Sequence, residues 1–184
     1  MASDKKVKIG HAKEQRKEWA FEERIIDDCS LKKGHPQHYS LIKTMIKEEG
    51  YKGKSQFDTQ RALCLDTLEI ELAKAEKRNQ RSTTDFAMGI IGRRSGKCNK
   101  RIRLVECKFD VNNTHNKLIE DLKAKNKETR DYFSFGCPIQ KLFVVLLNDE
   151  FYNQGMRFIK KNFLDSSDCE VLTVNSFFNL YFER

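Results

Sequence analysis

The stretch Arg101-Ile102-Arg103-Leu104-Val105-Glu106-Cys107-Lys108-Phe109 decides the fold and holds the chemistry. Its aliphatic middle predicts a packed strand, in which a period of two puts Glu106 and Lys108 on one side and Cys107 and Phe109 on the other. Both charges then point into one small volume. Burying an unpartnered carboxylate or ammonium costs on the order of several kcal/mol, so an acid and a base on one packed face imply a metal, a phosphate or mutual pairing.

Immediately upstream, Thr84 to Ile91 reads as a second strand and Gly92 to Lys100 as a basic turn containing Gly96, which makes a hairpin. A turn centred near Gly96 pairs residues whose numbers sum to about 192, and this sets Asp85 opposite the Glu106 to Lys108 segment. An Asp and a Glu converging beside a lysine offer hard oxygen donors of the kind Mg²⁺ or Mn²⁺ takes. The lysine adds an ammonium able to hold a water or to stabilise charge growing on a phosphate.

On the N-terminal side, Gln56 to about Asn79 carries a helical pattern whose apolar arc is Ala62, Leu65, Leu68, Leu72, Ala73 and Ala75. Glu69 and Glu76 fall near the middle of that arc and Glu71 points away. Either one of these glutamates approaches the same metal, Glu69 being the candidate ligand, or both pair with lysines. The alternation from Leu68 to Leu72 also fits a strand. Tyr39 to Glu49 gives Leu41, Ile42, Met45 and Ile46 at helical spacing, ending at Gly50. Ala12 to Cys29 predicts a helix with Trp19, Phe21, Ile25 and Ile26 as its stripe.

Downstream, Asn113 to Arg130 is a polar helix with Leu118, Ile119 and Leu122 inward. Lys141 to Leu147 is an apolar strand, Glu150 to Phe163 a helix, and Val171 to Val174 begins a last strand. Helices alternating with strands around a hairpin predict an α/β fold, a mixed central sheet flanked by helices. The 184 residues suffice for one core. They divide into a basic, partly helical extension over 1–35 and an α/β domain over 36–184.

A formal net charge of +8 favours an anionic partner, of which nucleic acid is the commonest. Arg93, Arg94, Lys97, Lys100 and Arg101, with Arg103, crowd the hairpin turn and its exit, and Lys74, Lys77, Arg78 and Arg81 precede it. Such clusters neutralise phosphates without reading sequence; the competing reading is a hairpin kept soluble by its charge. Tyr132, Phe133 and Phe135 are candidates for base stacking, though core packing beside the Leu142 to Leu147 strand suits them better. The six cysteines contain no C-x-x-C pair and the four histidines no ligand spacing, which argues against zinc and for reduced thiols. Met1 to Gly10 is followed by no apolar core and no stretch reaches membrane-spanning length, so the expectation is a cytoplasmic protein without membrane contact.

With Asp85 at the start of one hairpin strand and Glu106-x-Lys108 on the next, the chain resembles the PD-(D/E)XK nuclease superfamily. The resemblance covers about half the chain, from the helix bearing Glu69 to the strand ending at Leu147. Acid-x-Lys also occurs at Asp4-Lys5-Lys6 and Asp121-Leu122-Lys123, but only the tripeptide at 106 sits in an apolar strand. The chain departs from the family at Thr84, where proline is usual, and leaves little room for a strand before the acid. The resemblance implies a restriction-endonuclease-like core and Mg²⁺- or Mn²⁺-dependent phosphodiester hydrolysis, with DNA as the leading substrate. It assigns Asp85 and Glu106 as ligands, the Cys107 backbone carbonyl as a further ligand and Lys108 as the catalytic lysine. Double-strand cutting would call for a homodimer.

Two other readings use the same residues. One is a catalytically inactive nucleic-acid-binding module on the same scaffold, in which the basic turn is the functional part. The other is an α/β interaction protein in which Glu106 and Lys108 form a structural ion pair closed to solvent.

Overall fold

The computed structural model of the chain describes residues 23–25, 34–94, 97–111, 114–163 and 168–183, with the backbone alone for 23–25, 91–94 and 97–99. Its centre is a mixed sheet of β2 (Tyr39–Leu41), β3 (Arg61–Cys64), β4 (Phe86–Arg94), β5 (Lys97–Lys108), β6 (Phe143–Leu147) and β7 (Cys169–Thr173), adjacent in that order. Each neighbouring pair from β2 to β5 is antiparallel, whereas β5, β6 and β7 run parallel. Parallel neighbours need crossovers, and these are the helices α3 (Asn116–Tyr132) and α4 (Tyr152–Asn162). Helices α1 (Ile42–Glu48), α2 (Leu65–Ala75) and α5 (Val174–Tyr181) complete the α/β fold.

Alternation along β5 divides the core. Ile102 and Leu104 face a cluster containing Leu65 and Leu68 of α2, Leu118, Ile119 and Leu122 of α3 and Ile159 of α4. Val105 and Cys107 face Ile42, Met45 and Ile46 of α1 and Val174, Phe177 and Tyr181 of α5. Glu106 and Lys108 therefore belong to the α2–α3 side, as the period of two requires. Phe143 to Leu147 of β6 are buried throughout, the signature of a strand covered on both faces.

Several expected boundaries are corrected. The helix expected from Gln56 is split: Arg61–Cys64 is a strand pairing Leu63 with Ala87, and the helix starts only at Leu65. A four-residue apolar run satisfies either period, and the free edge of β4 decides it for the strand. This supplies the strand before the acid for which little room was expected, while Leu68 to Leu72 stays helical. Tyr39–Leu41 is likewise extended, because it pairs with β3, and the helix begins at Ile42 and stops before Gly50, whose φ is 93°. The hairpin strands extend through Arg94 and Lys97, so most of the expected turn is ladder. The last strand starts earlier than expected and ends at Thr173, and Val174 opens a helix capped by Thr173, whose Oγ1 accepts the Ser176 amide.

The expected Ala12–Cys29 helix lies outside the described residues except for 23–25, and there it is corrected. Glu23–Ile25 forms β1, pairing antiparallel with Ile90 to Gly92. Strand β3 reaches only Phe86 and Ala87 of β4, which leaves the outer half of that edge to be paired by another segment. Among the described residues no helix is long and apolar enough to cross a membrane.

Candidate active site

The register of the hairpin brings the acids together. Phe86 pairs with Val105, so Asp85, just before β4, stands level with Glu106 at the carboxyl end of β5. That is one residue from the expected register. Open α/β sheets place their ligands outside the carboxyl ends of the parallel strands, and β5 and β6 both end here, Lys108 beside Leu147.

Glu106 is fully buried and Asp85 is 4% exposed. Asp85 Oδ2 accepts the Cys107 backbone amide at 2.5 Å, which ties the two strands at the site. Glu106 Oε1 lies 2.7 Å from the ammonium of Lys108 and 2.7 Å from that of Lys125, the latter also 3.3 Å from Asp85 Oδ1. These are ion pairs by distance, yet among the described residues neither Glu106 oxygen has a well-angled hydrogen bond. Burial, and then the neighbouring Asp85, push the Glu106 carboxyl above its usual range. Burial also works against the charge of Lys125, but Glu106 and Asp85 outweigh it and hold its pKa above the ordinary lysine value. The Cys107 side chain points to the opposite face, where burial raises its thiol well above normal and keeps it neutral.

Helix α3 builds much of this arrangement. Lys125, Glu128, Thr129 and Tyr132 share one face at spacings of three and four. Glu128 accepts the Ser82 amide at 3.0 Å and Thr129 the Thr84 amide at 2.9 Å. Tyr132 stacks under Arg81, whose guanidinium carbon is 3.4 Å from the ring centre, and its hydroxyl meets Arg78 at 2.6 Å. The segment leading to Asp85 is thus pinned along its length.

Two acids that sequence reasoning missed stand beside Asp85. Glu49, just past α1, and Asp66, in the first turn of α2, each bring a carboxylate oxygen within 4.8 Å of the others and of Asp85. Burial first, and Asp85 next, raise Glu49 to about 7 and Asp66 to about 6. Thr83 Oγ1 donates to Asp66 Oδ1 at 3.1 Å.

Other expected residues lie elsewhere. Glu69 is on the buried helical face, 2% exposed, but its carboxylate is taken by the Arg78 guanidinium and by the Arg81 amide at 2.7 Å. Glu76 pairs with Arg78 at 2.5 Å and with the Tyr132 hydroxyl at 2.8 Å. Arg78 and Arg81 therefore serve the loop instead of an open basic surface. Arg103 is also removed from that surface: its position on β5 turns it to the α5 side, where it is 1% exposed and donates to the Tyr181 hydroxyl at 2.8 Å. Lys100 and Arg101 are exposed on β5, and Arg93, Arg94 and Lys97 occupy the far end of the hairpin, their side chains lying outside the described residues. Phe133 and Phe135 are core residues.

Comparisons of the chain with protein-family models, with curated proteins and with solved structures give no match.

Proposed function

We propose that the chain is a metal-dependent nuclease on a restriction-endonuclease-like core running from α2 through β6, hydrolysing phosphodiester bonds in DNA. The observation that carries this reading is the convergence of Asp85 and Glu106 on one buried point beside two ammonium groups. Glu106 is fully buried and neither of its oxygens has a well-angled hydrogen bond among the described residues, which fits a hard cation, because hard oxygen donors held in a buried site are what such an ion takes. Asp85 and Glu106, with the Cys107 carbonyl, would hold Mg²⁺ or Mn²⁺. Bound there, the ion would polarise a phosphoryl oxygen and make hydroxide available near neutral pH.

The remaining chemistry belongs to side chains. Lys108 is 17% exposed and reaches from Glu106 toward solvent, so its ammonium can orient a water or neutralise charge gathering on the phosphate. Glu106 holds that ammonium in place, and α3 fixes the backbone on which Asp85 is carried. Arg93, Arg94, Lys97, Lys100 and Arg101 along the hairpin supply salt-sensitive contacts to a nucleic-acid backbone.

The test is incubation of the purified chain with labelled linear, circular and single-stranded DNA, with and without Mg²⁺ or Mn²⁺. Cleavage should require the divalent ion and disappear in Asp85→Ala and Glu106→Ala; opening of the circle would mark an endonuclease. Failure to cut any of these substrates in either ion overturns the reading. A second reading has its own support: the near-complete burial of Asp85 and Glu106 also suits a structural ion-pair core in a non-catalytic module.

A further inference from the structure

Lys125 comes from a polar helix to which the sequence pattern gave no functional role, and its ammonium meets both proposed ligands, 3.3 Å from Asp85 Oδ1 and 2.7 Å from Glu106 Oε1. Lys108, by contrast, pairs with Glu106 alone among the described residues. We propose that Lys125 couples cation binding to substrate binding: without a divalent ion it holds the two carboxylates together, and on ion binding it releases them and moves its ammonium to a phosphate of the DNA. This inference rests on the metal-dependent reading above and adds a positioning residue to it.

Three observations support it. The carboxylates that would hold the ion are the two that Lys125 now pairs with, so ammonium and ion compete for the same negative charge. Helix α3 cannot follow the ammonium outward, because Glu128 and Thr129 anchor it to the Ser82 and Thr84 amides. The movement must therefore come from the side chain, which is 22% exposed and has the four-carbon stem and compact charge that let lysine serve as a mobile phosphate contact. An ion entering alone strips Lys125 of its partners; an ion entering with DNA gives it a new one. Cation and DNA then tighten each other's binding by the same factor.

The experiment is calorimetric titration of the full chain with Mn²⁺, with and without a short phosphorothioate duplex that resists cleavage, for the wild type and Lys125→Met. In the wild type the duplex should tighten Mn²⁺ binding about tenfold, within the usual range of such couplings. Lys125→Met should bind Mn²⁺ about tenfold more tightly than the wild type without DNA, and gain less than about threefold from the duplex. Equal DNA-free affinities, or an undiminished gain from DNA in the variant, would overturn the proposal. Lys125→Gln, a second neutral replacement, keeps the test decisive should the methionine variant fold poorly. Asp85→Ala and Glu106→Ala, each combined with Lys125→Met, separate the two levels. If Mn²⁺ binding is absent throughout or survives in both double variants, the metal reading itself fails. If binding is lost in both double variants while Lys125→Met matches the wild type, only the coupling role is overturned.

Discussion

Thr129 Oγ1 accepts the backbone amide of Thr84 at 2.9 Å, and both residues are fully buried. The next residue is Asp85, so a hydroxyl on α3 sets where β4 begins. Thr129→Val keeps the shape but leaves that amide without an acceptor, and should lower the unfolding free energy by about 1–3 kcal/mol. Thr129→Ser should recover most of the loss in a urea titration. Equal losses in both variants would mean that the methyl group, and not the hydrogen bond, is what matters.

Stability in the presence of a chelator should respond to pH in two opposite ways. Burial disfavours the ionised Glu69, but Arg78 and the Arg81 amide outweigh it and lower its pKa below the ordinary 4.5. Its contribution is complete above that value and is lost as pH falls through the folded-state pKa. Asp66 and Glu49 behave in reverse: burial and Asp85 raise them to about 6 and about 7, so stability present below their ordinary values of 3.8 and 4.5 declines as pH rises toward neutrality. Unfolding free energy should therefore be highest near roughly pH 4 to 5, between the two limbs. Asp66→Asn should flatten the limb between about pH 4 and 6; a limb of unchanged slope in that variant would contradict the assignment.

Much of this geometry is readable in the order of residues, and the parts that are not share a cause. The hairpin and the facing of Asp85 and Glu106 follow from local alternation, which needs no knowledge of distant segments. Strand β3 was hidden because Ala62, Leu63 and Leu65 suit a helical arc as well as a short strand. Helix α5 was hidden because its start is rich in residues that favour strands, although Val174, Phe177 and Tyr181 recur at helical spacing. Glu49 follows α1, while Asp66 and Lys125 belong to α2 and α3, and only tertiary packing brings them to one end of the sheet. A signal for Lys125 existed: it follows Leu122 by three residues and precedes Thr129 by four, and both are buried. Arg103 shows the converse, a charge assigned to a surface cluster whose place in the pleat turns it inward.

Nucleic-acid affinity should come largely from the far end of the hairpin. Replacing Arg93, Arg94 and Lys97 together with glutamine should flatten the dependence of log K on log salt by roughly 0.7 to 0.9 for each phosphate that is no longer neutralised. The fold should be little affected, because the ladder pairs from Phe86–Val105 to Ile90–Arg101 are unchanged. An unaltered salt slope in fluorescence-anisotropy titrations would move the binding surface elsewhere and leave this cluster as a solubilising one.

Lys108 separates an enzyme from an ion-paired scaffold. If its ammonium serves the attacking water or the phosphate, the interaction is stronger in the transition state than in the ground state. Lys108→Ala should then slow single-turnover cleavage by about a hundredfold to a thousandfold, with DNA and Mn²⁺ affinity changed far less. The scaffold reading predicts a different loss. Glu106 Oε1 has both Lys108 and Lys125 at 2.7 Å, so removing one ammonium leaves a buried carboxylate half-compensated, and stability should fall by up to about 3–5 kcal/mol. Cleavage rate and denaturation midpoint, measured on the same preparation, distinguish the two. A Lys108→Ala protein that is folded, binds Mn²⁺ and cuts as fast as the wild type would remove this lysine from the reaction. A variant that loses rate while keeping its midpoint would place its role in the transition state, since Lys125 would then suffice to hold Glu106 in the folded chain.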